Sequence, residues 1–158
     1  MRIAVNLNCR ILNAPSAKLI EKMKTSSDPR HKKRQQIVKQ LFSTSFQPKK
    51  NLSNKIAQMI YKKRVNLDKL ISKSAPEWGI GKINRIDLAI LRLAVWELTT
   101  SENKVPVKVV VDEAIELAKQ YGAEGSSGFV NGVLGTIIKS PRPASSADRR
   151  RPTGEAGK

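Results

Sequence analysis

The sequence predicts an all-α protein built around one central buried helix. Three observations lead to this prediction. Apolar residues recur at helical spacing along most of the chain, one segment is apolar nearly all round a helix, and Asp, Pro and Gly stand where helices are expected to begin or end. With 158 residues, 39% of them hydrophobic, the chain fits one domain or two small subdomains that share a core.

The first two predicted helices are amphipathic. The first begins at Asp28-Pro29, because Asp caps helix N-termini and Pro suits the first turn. Its apolar stripe consists of Ile37, Val38, Leu41 and Phe42. A second helix is predicted over residues 53–72, with an apolar stripe that runs from Ile56 to Ile71.

Three further helices are predicted after the Pro- and Gly-containing stretch 74–81. Residues 82–99 are apolar nearly all round, so they form the central helix, with Trp96 in the core. Trp78 is also expected to anchor the core. The next helix is opened by Pro106 and closed by Gly122 as a C-cap. The last spans residues 126–139.

The two ends of the chain differ from this helical block. Residues 1–27 form an extension whose first 13 positions alternate apolar and polar like a strand, and a short helix is possible over residues 16–24. Residues 140–158 are rich in Pro, Ser, Gly and Arg, a composition typical of a disordered basic tail. The helical domain is therefore assigned to residues 28–139.

The charge is strongly positive and unevenly placed. The formal net charge is +17. Residues 1–50 carry 12 basic and two acidic side chains, whereas residues 83–138 carry five and seven. A charge this large repels itself in a compact protein unless a polyanion neutralises it. The first half is therefore expected to bind nucleic acid.

Several classes of function are poorly supported. His31 is the only histidine and Cys9 the only cysteine, so we expect no metal site, no catalytic residue and no cofactor. The carboxylates of Glu113 and Glu116 are read as a solvated helix face. No apolar run approaches the ~20 residues of a membrane span, and a single thiol suits a reducing compartment. The sequence therefore favours a non-catalytic cytoplasmic protein.

Two segments are candidate anion sites. Arg30, Lys32, Lys33 and Arg34 lie in the first turns of a helix, where the macrodipole disfavours cations unless an anion binds. Residues 125–132 place small polar residues, Phe129 and Asn131 at the start of the last helix. A base could stack on Phe129, although spacing alone favours a core role for Phe129 and a capping role for Ser126.

Three stretches of the second half resemble the NusB family. They are Arg85-Ile86-Asp87-Leu88-Ala89-Ile90-Leu91-Arg92-Leu93-Ala94-Val95-Trp96-Glu97-Leu98, Val105-Pro106-Val107-Lys108-Val109-Val110-Val111-Asp112-Glu113-Ala114-Ile115-Glu116-Leu117-Ala118-Lys119 and Phe129-Val130-Asn131-Gly132-Val133-Leu134. They follow one another in the family's order and spacing. The basic stretch at Arg30–Arg34 and the apolar residues after it resemble the family's arginine-rich first helix.

The resemblance implies a fold of two small helical bundles and a role in transcription antitermination at ribosomal RNA operons. It implies that the protein binds single-stranded boxA-type RNA together with the small-subunit ribosomal protein NusE, within the RNA polymerase antitermination complex. By position, the RNA contacts implied are Arg30, Lys32, Lys33, Arg34, Lys39, Phe129 and Asn131. Asp87 is implied to belong to the face that binds the ribosomal protein.

The sequence also departs from the family. Only residues 43–52 separate the first two predicted helices, where the family usually has another helix, and Gly125 replaces a common acidic residue. Two other interpretations stay open. One is a ribosome-biogenesis module, because the domain resembles the N-terminal region of ribosomal RNA cytosine methyltransferases. The other is a nonspecific basic DNA-binding protein.

Overall fold

A computed structural model of the chain describes residues 28–48, 51–100 and 105–140. The chain divides into two compact units, residues 1–34 and 35–158. Six α-helices are described: α1 (Pro29–Thr44), α2 (Lys55–Lys62), α3 (Arg64–Ser74), α4 (Arg85–Thr99), α5 (Val107–Tyr121) and α6 (Ser126–Lys139). A short 3-10 helix, Ile80–Lys82, precedes α4, and no strand occurs in these ranges. The predicted all-α class is confirmed.

The predicted features of residues 1–27 and 141–158 lie outside the residues that the structure describes, so the strand pattern, the short helix and the disordered tail stay predictions. Of the first unit, the structure describes residues 28–34, which contain the start of α1. No helix in the described ranges has the length and apolar character needed to cross a membrane.

Helix α4 is the centre of the second unit. Nine of its 15 residues are buried, from Asp87 to Trp96, and α2, α3, α5 and α6 all contact it. Trp96 is 5% exposed, which confirms its predicted place in the core. Arg92 reaches from α4 to α3, where its guanidinium donates two 2.8 Å hydrogen bonds to the carboxylate of Asp68. A long helix that is apolar on all sides is thus enclosed by its neighbours.

The single helix predicted over residues 53–72 is wrong, because the chain forms α2 and α3 with a turn at Lys63. No Gly or Pro marks this turn, and the apolar spacing continues across it. The guanidinium of Arg64 bonds back to the carbonyl of Tyr61 at 3.0 Å and lies 4.2 Å from the centre of its ring. Beyond this turn, α3 contacts both α4 and α6.

A buried polar contact joins the starts of α4 and α6. The hydroxyl of Ser126 donates to Asp87 Oδ2 at 2.9 Å and accepts from the backbone N–H of Ala123 at 2.9 Å. Both side-chain partners, Asp87 and Ser126, are 5% exposed. Burial raises the pKa of the Asp87 carboxyl, and the hydrogen bond from Ser126 opposes that rise only in part. This contact fixes where α6 begins.

Gly122 ends α5 as predicted, although for a different reason. Its backbone is extended (φ −82°, ψ 176°) rather than left-handed. A Cβ atom at this position would lie 2.5 Å from the Ala118 carbonyl oxygen and 2.6 Å from Ser126 Oγ. The glycine is therefore required for the close approach of the α5–α6 turn to Ser126. The left-handed residue of this turn is Gly125, with φ 87°.

We predict that Gly122→Ala destabilises the protein by about 1–3 kcal/mol, because the added methyl group collides with Ser126 and the Ala118 carbonyl. Urea unfolding followed by circular dichroism measures this change. The matched control is Gly135→Ala inside α6, where a Cβ meets open space and should stabilise the helix by about 0.5–1 kcal/mol. Equal effects of the two substitutions would contradict the close-approach explanation.

A second prediction concerns the pH dependence of stability. A raised pKa means that the folded protein favours neutral Asp87, so the stability that this group contributes is greatest in acid and falls as the pH rises. In Asp87→Asn the amide oxygen still accepts the Ser126 hydroxyl but carries no charge. The variant should therefore gain stability relative to the wild type as the pH rises from about 4, the ordinary pKa of an aspartate, towards neutral.

Urea titrations across this pH range test the prediction, with the exposed Asp112→Asn as the control that should show a smaller change. A stability difference between Asp87→Asn and the wild type that stays constant with pH would refute it.

Candidate nucleic-acid interface

The start of α1, in the first unit, is basic and well capped. Asp28 Oδ1 accepts the backbone N–H of Arg30 at 2.8 Å, which confirms the predicted cap. Arg30, Lys32 and Lys33 are exposed, whereas Arg34 is buried at 7% exposure. Three of the four cations expected to bind RNA at this helix start thus have accessible side chains.

The start of α1 carries cations where helices usually carry acidic residues. The first turn of α1 contains no acidic residue, and Asp28 at the cap is the carboxylate closest to it in sequence. The backbone N–H groups of a helix start carry partial positive charge, so each added cation costs a few tenths of a kcal/mol. A bound phosphate would reverse that cost, since it pairs with the cations and with the dipole together.

In the second unit, the later part of α1 packs beside the end of α5. Gln35 Nε2 donates to Gln120 Oε1 at 2.8 Å, and the ammonium of Lys39 lies 5.5 Å from the centre of the Tyr121 ring. Lys39 is exposed and borders an open pocket of about 320 Å³. The pocket is lined by Lys39, Gln40, Ser43, Asn51, Leu52 and Ser53. This surface offers one cation surrounded by hydrogen-bonding groups.

The start of α6 is the other predicted surface. Phe129 is partly buried and packs against the core, and Asn131 is exposed. The Phe129 ring makes an edge contact with the ring of Trp78, with centroids 5.6 Å apart and planes at 61°. Phe129 is therefore neither a fully buried core residue nor a free platform, and its outer part lies beside an exposed indole.

Two sequence-based interpretations need revision at this surface. Trp78 was expected to anchor the core but is 51% exposed. Ser126 was expected to cap α6, yet the capping position is Gly125 and the Ser126 hydroxyl bonds to Asp87. Asp87 is buried, and its place at a protein-binding face stays a prediction. No sequence signal identified Trp78, because a tryptophan in a short connection occurs in cores and at surfaces alike.

The described residues contain no cluster of three His, Cys, Asp or Glu side chains that could hold a metal ion. The candidate groups on these separate surfaces are cations, amides and aromatic rings, which bind phosphates and bases.

Comparison with known proteins agrees with the three motifs. The model of the NusB family matches residues 14–139. The transcription antitermination protein NusB of Roseiflexus castenholzii is 48% identical over 81 residues, which are 51% of this chain and 57% of that protein. The protein of the same name from Clostridium novyi is 45% identical over 87 residues, 55% of this chain and 65% of that protein. The matches thus span little more than half of these relatives' length.

A solved structure of T. maritima NusB has the same fold. It aligns with a TM-score of 0.63 at 33% sequence identity and covers 73% of this chain and 94% of that one. The names of the relatives are those of a transcription factor, in agreement with the expected non-catalytic role. Since the family model matches most of the chain and the solved relative shares its fold, the chain belongs to the NusB family.

Proposed function

We propose that this protein is a transcription antitermination factor that binds single-stranded boxA-type RNA together with the small-subunit ribosomal protein NusE. The names of its relatives and the family match support the proposal. The observation that carries it is the exposed cationic start of α1, where Arg30, Lys32 and Lys33 follow a capped helix N-terminus. The complex would act on RNA polymerase in the cytoplasm and support ribosomal RNA transcription.

The cations supply the phosphate contacts in this proposal. Arg30, Lys32 and Lys33 are exposed in the first unit, and Lys39 is exposed in the second. Arg34 is buried, so we expect its contribution to be smaller than that of the exposed cations. Phosphate contacts fix the position of RNA and are nearly independent of its sequence.

The start of α6 supplies the base contacts. Asn131 is exposed and its amide both donates and accepts, so it can bind a base edge, while the Phe129 ring offers stacking. Single-stranded RNA fits these groups better than a duplex, since only unstacked bases expose their faces.

NusE is proposed to bind the face on which α4 begins, with Asp87 beneath it. Because the carboxylate of Asp87 is buried against Ser126, it would act on that face by holding α4 and α6 together rather than by direct contact. The exposed Arg85, whose guanidinium lies 4.6 Å from the centre of the Phe46 ring, offers a direct contact nearby in sequence.

Competition tests the proposal as a whole. We expect a boxA-type single-stranded RNA to bind with a salt-dependent affinity that NusE increases, and duplex DNA to compete poorly, because only the RNA has accessible bases. Fluorescence anisotropy with labelled RNA measures both effects. Equal competition by duplex DNA would instead favour a nonspecific polyanion binder, which the net charge of +17 alone would produce.

The contribution of α1 is tested residue by residue. Lys32→Ala and Lys33→Ala should each lower RNA affinity and reduce the slope of log affinity against log salt by about 0.7, the value for one lost phosphate contact on a single strand. The matched control is Lys73→Ala, an exposed lysine in the last turn of α3, which should leave the slope unchanged. Identical slopes for all three variants would contradict the assignment of phosphate contacts to α1.

A further inference from the structure

The exposed tryptophan of the second unit has no role in the function proposed so far. The chain contains two tryptophans, of which Trp96 is 5% exposed within α4 and Trp78 is 51% exposed between α3 and α4. Trp78 is not an isolated surface residue, because its ring touches Phe129, which lies 51 positions later in the chain and opens α6. Two aromatic rings therefore meet at one place on the surface.

The backbone around Trp78 is anchored. The N–H of Trp78 donates to the carbonyl of Ala75 at 3.0 Å, and Ala75 is 7% exposed. On the other side, the N–H of Lys82 donates to the carbonyl of Gly79 at 2.8 Å, and Ile83 is 5% exposed. Buried residues thus flank the connection, so the exposed indole is held in place from both ends.

The shape of the aromatic pair suits a flat ligand. At an angle of 61° the rings meet edge to face, and such a pair forms a corner rather than a closed stack. On the helix, the neighbours of Phe129 one turn away on the open side are Gly125 and Gly132. A Cβ atom at either glycine would meet nothing within 4 Å, so the helix surface on both sides of Phe129 is open at these two positions.

We propose that Trp78 and Phe129 form a base-stacking subsite for single-stranded RNA, in which Trp78 provides a platform for one unstacked base. The proposal rests on the proposed function and identifies a residue of the same surface. A polyanion is the fitting occupant because the chain carries a net charge of +17, and a nucleic-acid base is the part of a polyanion that binds aromatic faces.

The two tryptophans make the test direct. A mixed-sequence single-stranded RNA of about 12 nucleotides is titrated into the full-length protein while tryptophan emission and acrylamide quenching are recorded. Trp96 is shielded in the core, so a change in quencher access reports on Trp78. We expect RNA to quench the emission and to protect Trp78 from acrylamide. Inorganic polyphosphate, which has charge but no bases, should do neither.

Substitutions separate stacking from general stability. Trp78→Leu keeps an apolar side chain without an aromatic face, and it should weaken binding of the single strand by about 5- to 100-fold. Trp78→Phe should restore part of the affinity, and binding of polyphosphate should stay as in the wild type for both variants. The control Val65→Ala, at another exposed apolar residue, should bind RNA as the wild type does. Circular dichroism verifies that each variant is folded.

The possible outcomes are distinct. If the wild type binds RNA but Trp78 emission and the affinity of Trp78→Leu are unchanged, the subsite is refuted while the proposed function stands. If Trp78 responds to NusE and not to RNA, the aromatic pair is a protein-binding surface and the subsite is again refuted. If the wild type does not bind single-stranded RNA at all, the proposed function fails with it.

Discussion

The second unit depends on enclosing α4, a helix that is apolar nearly all round. Such a helix has no solvent face, so its neighbours must surround it, and α2, α3, α5 and α6 all contact α4. Polar groups on α4 then need partners within the protein, because an unpaired buried charge is strongly unfavourable. Arg92 meets this need with the two oxygens of Asp68, and Asp87 meets it in part with the hydroxyl of Ser126.

The contact between Asp87 and Ser126 links the buried helix α4 to a surface segment. Ser126 is the first residue of α6, so its bond to Asp87 sets the position of the whole helix start. Gly122 allows the preceding turn to approach closely, and Gly125 supplies the left-handed residue between them. Phe129 follows one turn later. The buried contact between Asp87 and Ser126, which no ligand can reach, thereby determines where the ring of Phe129 lies at the surface.

Much of this architecture could be predicted from sequence, and the failures have physical causes. The helices α5 and α6 were predicted with nearly their observed ends, because long apolar periodicity coincides with Pro and Gly at their boundaries. The turn at Lys63 was missed, since its contacts between Arg64 and Tyr61 involve residues common inside helices. The burial of Asp87 against Ser126 was not predicted, because the two residues lie 39 positions apart and residue spacing in the sequence does not identify such a pair.

In the proposed function, the distribution of charge along the chain separates two parts of RNA binding, the attraction of phosphates and the recognition of bases. The segments with most positive charge, including the start of α1, attract phosphates. That attraction is nearly independent of the RNA sequence. Phe129 and Asn131 belong instead to residues 83–138, where five basic and seven acidic side chains almost cancel. Contacts there gain little from long-range attraction, so in the proposed function they depend on how well a base fits, and the preference for one RNA over another would arise from them.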